Sequence, residues 1–322
     1  MSLETEAVLD RRRLRRHLSF WRIAAILAIV LAIGVFALSD ESGLNLGQRH
    51  QIARVSIEGL ITEDRPQLRL LERIAKASQV EGVVLFVNSP GGTTTGGEAL
   101  FGALRELAAK KPLVAQFGTV AASAAYIAGL GTDHIVARGN TITGSVGVIM
   151  QWPEVSELLG RIGIKMNEVK SGPLKATPSP FQPMDEAGRA VTEEMIADGH
   201  RWFLGLVNSR RGISTGSVPG LEQGRVFSGR EALEHKLVDE IGGEAEAVRW
   251  LEQKRNVTKG LRIVDWKPSR NLEWPLTGSF ARTLGAIVAL LGREAIGALD
   301  TDPSLGAIGL DGLLSLWHPA KN

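Results

Sequence analysis

The chain has 322 residues, of which 44% are hydrophobic and 22% charged, enough to bury a full core and more than one minimal domain needs. Its formal charge of +2 traces to an N-terminal cluster, Arg11, Arg12, Arg13, Arg15, Arg16 and Arg22; the remainder is close to neutral, which argues against a nucleic-acid surface. The lack of cysteine excludes disulfides, thiolate metal sites and a cysteine nucleophile, and no metal or cofactor is expected.

Residues 1–19 form a basic segment. Phe20 to Leu38 is an apolar run interrupted only by Arg22, whose long side chain can snorkel toward headgroups. As a helix it is about 28 Å long, roughly one bilayer core, so residues 20–38 are expected to span a membrane. Arginines before it and Asp40 and Glu41 after it place the N-terminus in the cytoplasm and the body outside. Val35-Phe-Ala37 also resembles a cleavage site, and a cleaved signal peptide is the competing reading. In both readings the body is exported.

A polar linker covers 39–50. The stretch from Ile52 to Leu60 alternates as a strand, and Pro66 to Gln79 carries apolar residues at helical spacing. Val83 to Val87 reads as a buried parallel strand, ending in a turn, Asn88-Ser-Pro-Gly-Gly92, before a helix to about Lys110. Strands follow at Leu113–Phe117 and His134–Arg138, with the helix that opens at Ser123 between them. Such alternation predicts an α/β fold with parallel βαβ units and functional residues beyond the carboxyl ends of the strands. From Pro153 the chain reads as a helix, then a strand over Lys165–Lys170, a stiff loop over Ser171–Phe181, a long helix from about Asp185 to Arg211, and shorter helices to about Lys254. The main domain is set at 51–255, with 256–322 as a C-terminal extension suited to oligomer contacts. Within that extension, Ser279–Gly292 is an apolar helix too short to cross a bilayer.

The stretch Thr119–Gly129 sets Ser123 among small residues at a helix start, where a nucleophilic oxygen lies beside free N–H groups. Gly91 and Gly92 permit positive φ and bare backbone N–H groups, as an oxyanion hole requires. A serine needs a base, yet His50, His134, His200, His235 and His318 have no catalytic context, and His134 is expected to cap or pack. Lys175 lies in a loop stiffened by Pro173, Pro178 and Pro180 and lacking carboxylates; burial would have to lower its pKa from about 10.4 toward 7–8. Lys165 and Lys170 are the surface-charge alternatives. Ser145, in Thr143-Gly-Ser-Val-Gly147, is expected to support the site or a strand turn rather than to attack.

The ordered set NSPGG at 88–92, AAS-x-x-Y at 121–126, TGSVGVI at 143–149 and KSGPLK-x-x-x-SPF at 170–181 resembles the serine-lysine peptidases of family S49, the signal peptide peptidase A group, in its short single-repeat bacterial form. The similarity covers about 50–255. By position, Ser123 resembles the nucleophile, Lys175, fifty-two residues later, the general base, and the N–H groups of Gly91 or Gly92 with Ser123 the oxyanion hole. The resemblance implies a Clp/crotonase-like fold behind an N-terminal transmembrane helix in the bacterial inner membrane, with the catalytic domain periplasmic or otherwise extracytoplasmic. It also implies released signal peptides as substrates, and a homo-oligomer with sites near subunit interfaces in which serine and lysine can come from neighbouring subunits. Relatives usually carry Gly-Gly after the nucleophile, whereas Ala124 and Ala125 follow here, which bears on specificity.

The expected function is therefore a membrane-anchored serine endopeptidase. A histidine-based Clp-type triad is disfavoured because Val148–Trp152 holds no histidine where that family places one, and acyl-CoA chemistry is disfavoured by export. The reading from another class is a catalytically silent membrane scaffold of the same fold.

Overall fold

The computed structural model describes Trp21, residues 49–268 and, for the backbone alone, Leu314–Leu316. The expected anchor at 20–38 and the apolar helix at 279–292 lie outside the described residues. Among the described residues no helix is long and apolar enough to cross a membrane.

In chain order the body runs β1 (Gln51–Ile61), α1 (Arg65–Lys76), β2 (Val80–Thr93), α2 (Thr94–Ala108), β3 (Leu113–Ala122), α3 (Ala124–Leu130), β4 (His134–Ala137) and β5 (Ile142–Gly144). Then come α4 (Ser156–Arg161), α5 (Glu186–Arg211), β6 (Val226–Ser228), α6 (Gly229–Glu234), β7 (Glu240–Ile241), α7 (Glu244–Lys254), β8 (Arg262–Asp265) and β9 (Leu314–Leu316). One sheet holds all the strands, in the order β6-β5-β3-β2-β1-β8, with β4 between β3 and β7, and β9 on β2. β1, β2, β3 and their neighbours β4, β5 and β8 pair in parallel; β5–β6 and β2–β9 are antiparallel. The sheet continues past residue 255, because β8 pairs with the start of β1.

Local chemistry explains the helices. α1 starts where the Asp64 carboxylate accepts from the Gln67 N–H, and it buries Leu70, Leu71 and Ile74. α5 is capped by Asp185 and ends at Gly212, which takes the left-handed conformation at φ 63°. Alternate residues of the strands face opposite sides. Ala53, Val55 and Ile57 join Leu85, Leu104 and Phe117 in the main core beneath α1, α2 and α3. Ile52, Val84, Val114 and Val136 form a smaller core under Ala247 and Leu251 of α7. Beyond α7 this second face turns polar, and Arg54, Ser56, Asn88 and Gln116 line an open cavity of about 810 Å³.

Two expectations are corrected. Asn88–Gly92 is not a turn after a strand: β2 runs through it to Thr93, because β1 and β3 flank it and continue the ladder past the proline. Residues 165–170 form no strand: among the described residues no strand lies beside them, and Lys165 to Val169 are exposed. Lys170 instead pairs with Glu168 at 2.9 Å.

Candidate active site

β3 ends at Ala122 and α3 begins at Ala124, so Ser123 alone makes the turn from strand to helix. It does so at φ 58°, ψ −122°, a region that costs a residue with a side chain about 1–3 kcal/mol. The surroundings hold it there. Its N–H donates to the Gly144 carbonyl at 2.9 Å, its carbonyl accepts from the Ile127 N–H at 3.0 Å, and the Thr143 hydroxyl donates to the Ala121 carbonyl at 2.7 Å. β5 thus clamps the turn from outside. A serine fixed in this way has its Oγ aimed by the backbone, which is the geometry of a nucleophile elbow. Ser123 is fully buried.

The positive φ falls on Ser123 and on neither alanine after it, so Ala124 and Ala125 start α3 without backbone penalty. The Ala124 methyl packs against α2 at Gly97, where an added side-chain carbon would come within 3.3 Å of it. Tyr126, the last residue of the AAS-x-x-Y motif, is structural: its hydroxyl donates to the Leu237 carbonyl at 2.9 Å, and burial pushes its pKa above the ordinary phenol range.

Ser89 of β2 pairs with Ala121 of β3, the last rung between the two strands, so the Gly91–Gly92 pair and Ser123 both follow directly on that rung. Gly91 takes φ 119°, and its N–H donates to the buried Ser89 hydroxyl at 3.1 Å. Gly92 pairs with Ile61, and a side-chain carbon there would lie 1.8 Å from the Ile61 carbonyl oxygen, so only glycine fits. The same edge carries another strand: Gly91, Gly92 and Thr93 pair antiparallel with Leu316, Ser315 and Leu314.

Ser123 and the Gly91–Gly92 pair follow the Ser89–Ala121 rung of neighbouring strands, and Lys175 lies in the 155–181 segment outside the sheet. It is exposed, in a segment whose Thr177 methyl packs at Gly188, near the start of α5. Gly188 lies about 22 Å along that helix from Phe203, the residue buried in the core with α3. The same segment, 155–181, leaves Leu158, Ile162, Ile164, Met166, Val169 and Phe181 exposed. His134 stacks on Trp250, with ring centroids 4.8 Å apart, and lies beside Asp239 and Glu240, a packing role. Ser145, at φ 52°, donates its N–H to the Arg225 carbonyl at 3.0 Å and extends the β5–β6 pairing by one hydrogen bond. Among the described residues no cluster of His, Asp or Glu is placed to hold a metal ion.

The profile of peptidase family S49 matches residues 105–258, and that of Clp protease matches 54–140, which agrees with a Clp-like α/β fold. A protein named as a protease in Methanocaldococcus jannaschii is 36% identical over 194 residues, 60% of this chain and 62% of its own length. One named as a protease in Synechocystis is 31% identical over 63% of this chain and 73% of its own length. A protein of Enterococcus faecium named as the signal peptide peptidase SppA is 30% identical over 82% of this chain and 83% of its own length. Among solved structures, a mutant of the membrane-bound stomatin-specific protease 1510-N aligns with a TM-score of 0.46 at 15% identity, over 69% of this chain and 99% of that one. On the strength of the Synechocystis and Enterococcus relatives, each matched over more than two thirds of its length, the chain belongs to peptidase family S49.

Proposed function

We propose that the protein is a membrane-anchored serine endopeptidase that cuts extended apolar peptides, released signal peptides among them, outside the cytoplasm of a bacterial cell. The observation that carries this reading is the strained, clamped backbone of Ser123 at the end of β3, past whose last rung the neighbouring strand carries a glycine pair. The neutral Lys175 amine takes the Oγ proton as Oγ bonds to the scissile carbonyl carbon. The resulting oxyanion is assigned to backbone N–H groups of the Gly91–Gly92 pair and Ser123; the Gly91 N–H donates to the Ser89 hydroxyl and the Ser123 N–H to the Gly144 carbonyl, so each of these two would share its bond with the oxyanion. The C–N bond then breaks, Lys175 returns the proton to the leaving amine, and water attacks the ester carbonyl, releasing the acid and restoring Ser123. The Gly91–Thr93 edge suits an extended substrate, since it pairs with one strand already.

Lys175 is assigned to the site of a neighbouring copy. Its exposure, its place by the start of α5 and the exposed apolar residues around it support a segment that reaches outward to a second subunit. Anchoring rests on the apolar run at 20–38.

The test is hydrolysis of fluorogenic apolar peptides by the full-length protein in detergent, across pH 6–10. Ser123→Ala and Lys175→Ala are each expected to be inactive though folded and assembled. When the two are dissociated and reassembled together, about one quarter of wild-type activity should return, because random mixing in a symmetric ring joins an intact serine to an intact lysine that often. Activity in Ser123→Ala would overturn the nucleophile. Failure of the mixture to recover would place the dyad within one chain. A folded, assembled wild type that never cleaves would leave the scaffold reading.

A further inference from the structure

β2 and β3 do not keep one register. Val83 to Val87 pair with Leu113 to Phe117, and then Ser89 pairs with Ala121. β2 spends one residue on the gap, Asn88, whereas β3 spends three, Gly118, Thr119 and Val120. This bulge changes where the strand ends. The earlier register would set Ala121 against Gly91; the later one sets it against Ser89, a displacement of roughly 6–7 Å along the strand just before Ser123.

A bulge leaves ladder N–H groups without a carbonyl opposite. Here the Asn88 side chain takes their place: its Oδ1 accepts from the Thr119 N–H at 3.1 Å and from the Val120 N–H at 3.2 Å. Gly118 lies against the same side chain, and a carbon added there would sit 3.0 Å from Asn88 Cβ and Oδ1. From the other side the Thr141 hydroxyl donates to the Gly118 carbonyl at 2.7 Å, completing the brace. One amide oxygen therefore fixes the step in β3 that precedes Ser123 by three residues.

We propose that Asn88 is a positioning residue that sets the place of Ser123 relative to the glycine pair by holding the β3 bulge. It acts on the reaction through Ser123 and has no contact with substrate. The inference rests on the reading of Ser123 as nucleophile and adds to it the device that aligns nucleophile with oxyanion donors. Asn88 and Thr119 also line the open cavity on the second face of the sheet, so water can reach the two N–H groups once the side chain is gone. The sheet can then persist while the alignment is lost.

The experiment compares kcat and KM on one fluorogenic apolar peptide for the assembled, full-length wild type, Asn88→Ala and Asn88→Asp, each at its own pH optimum. Asn88→Ala is expected to lower kcat on the order of 100-fold with KM little changed, the cost of a nucleophile displaced by about an ångström. Asn88→Asp keeps an acceptor oxygen at the same reach and is expected to recover most of that loss. Should Asn88→Ala fail to assemble, Asn88→Gln, which moves the oxygen by one methylene, is expected to show the same selective fall in kcat. Near-wild-type kcat in Asn88→Ala, or in Asn88→Gln where it stands in, would overturn the positioning role and leave the nucleophile untouched. So would an equal loss in Asn88→Ala and Asn88→Asp. A wild type without hydrolysis would overturn both.

Discussion

Ser123 combines two properties that a purely structural residue would not retain together, a hydroxyl buried from water and a backbone conformation that favours glycine. Substitution separates them. Ser123→Gly is expected to abolish hydrolysis yet raise stability by about 1 kcal/mol, a shift of a few degrees in Tm read by thermal unfolding. Ser123→Ala, which keeps the strain, should lose activity without that gain. Gly92 is the opposite case, since there is no room for even a methyl group beside the Ile61 carbonyl. Gly92→Ala should cost at least about 3 kcal/mol or push β2 out of its ladder, and peptide hydrolysis and urea unfolding should fall together.

At the scale of elements, the α/β alternation, the parallel strands and the Asp185-capped helix were legible because hydrophobic period and capping are local signals. What was not legible has a physical reason in each case. Asn88-Ser-Pro-Gly-Gly92 has turn composition, and only the strands on both sides keep it extended. Lys165–Lys170 has a strand's pattern but no partner strand among the described residues. Asn88 read as a turn residue, because the bulge it supports exists only once β2 and β3 are paired; a polar side chain ending a buried apolar run was the available clue. β8, past the boundary expected at 255, is fastened by Arg54, which bridges Asp265 and Glu244. Arg54 holds the Asp265 carboxyl below its ordinary value of 3.8. A lowered carboxylate pKa supports the folded state above that value and ceases to do so as pH falls through the lowered one. Amides of β8 should therefore exchange faster under acid, below pH 3.8, before those of β2 and β3 do, as hydrogen exchange would report.

For the whole molecule, the proposed serine and glycines lie on neighbouring strands of one sheet, and Lys175 lies exposed on a separate segment. The sequence proposes Lys175 through a proline-stiffened loop, but no pattern within a chain states whose serine a side chain will meet. If the dyad forms between copies, specific activity becomes a function of protein concentration. Dilution below the assembly threshold should lower it steeply and reversibly, and light scattering on the same samples should fall in step.

The strand Leu314–Leu316 lies on the glycine edge and is joined to the body through residues 269–313. A covalent tether acts as concentration: such a segment is present at its own docking edge at an effective level on the order of a millimolar, whatever the protein concentration. If peptides dock on that edge, as the proposed function has it, they compete with a ligand that cannot be washed away, and weak ones are filtered out before chemistry begins. Cutting the chain at an engineered protease site between residues 268 and 314 should lower KM for weakly held peptides, and a synthetic peptide of the released sequence should raise it again in proportion to the amount added.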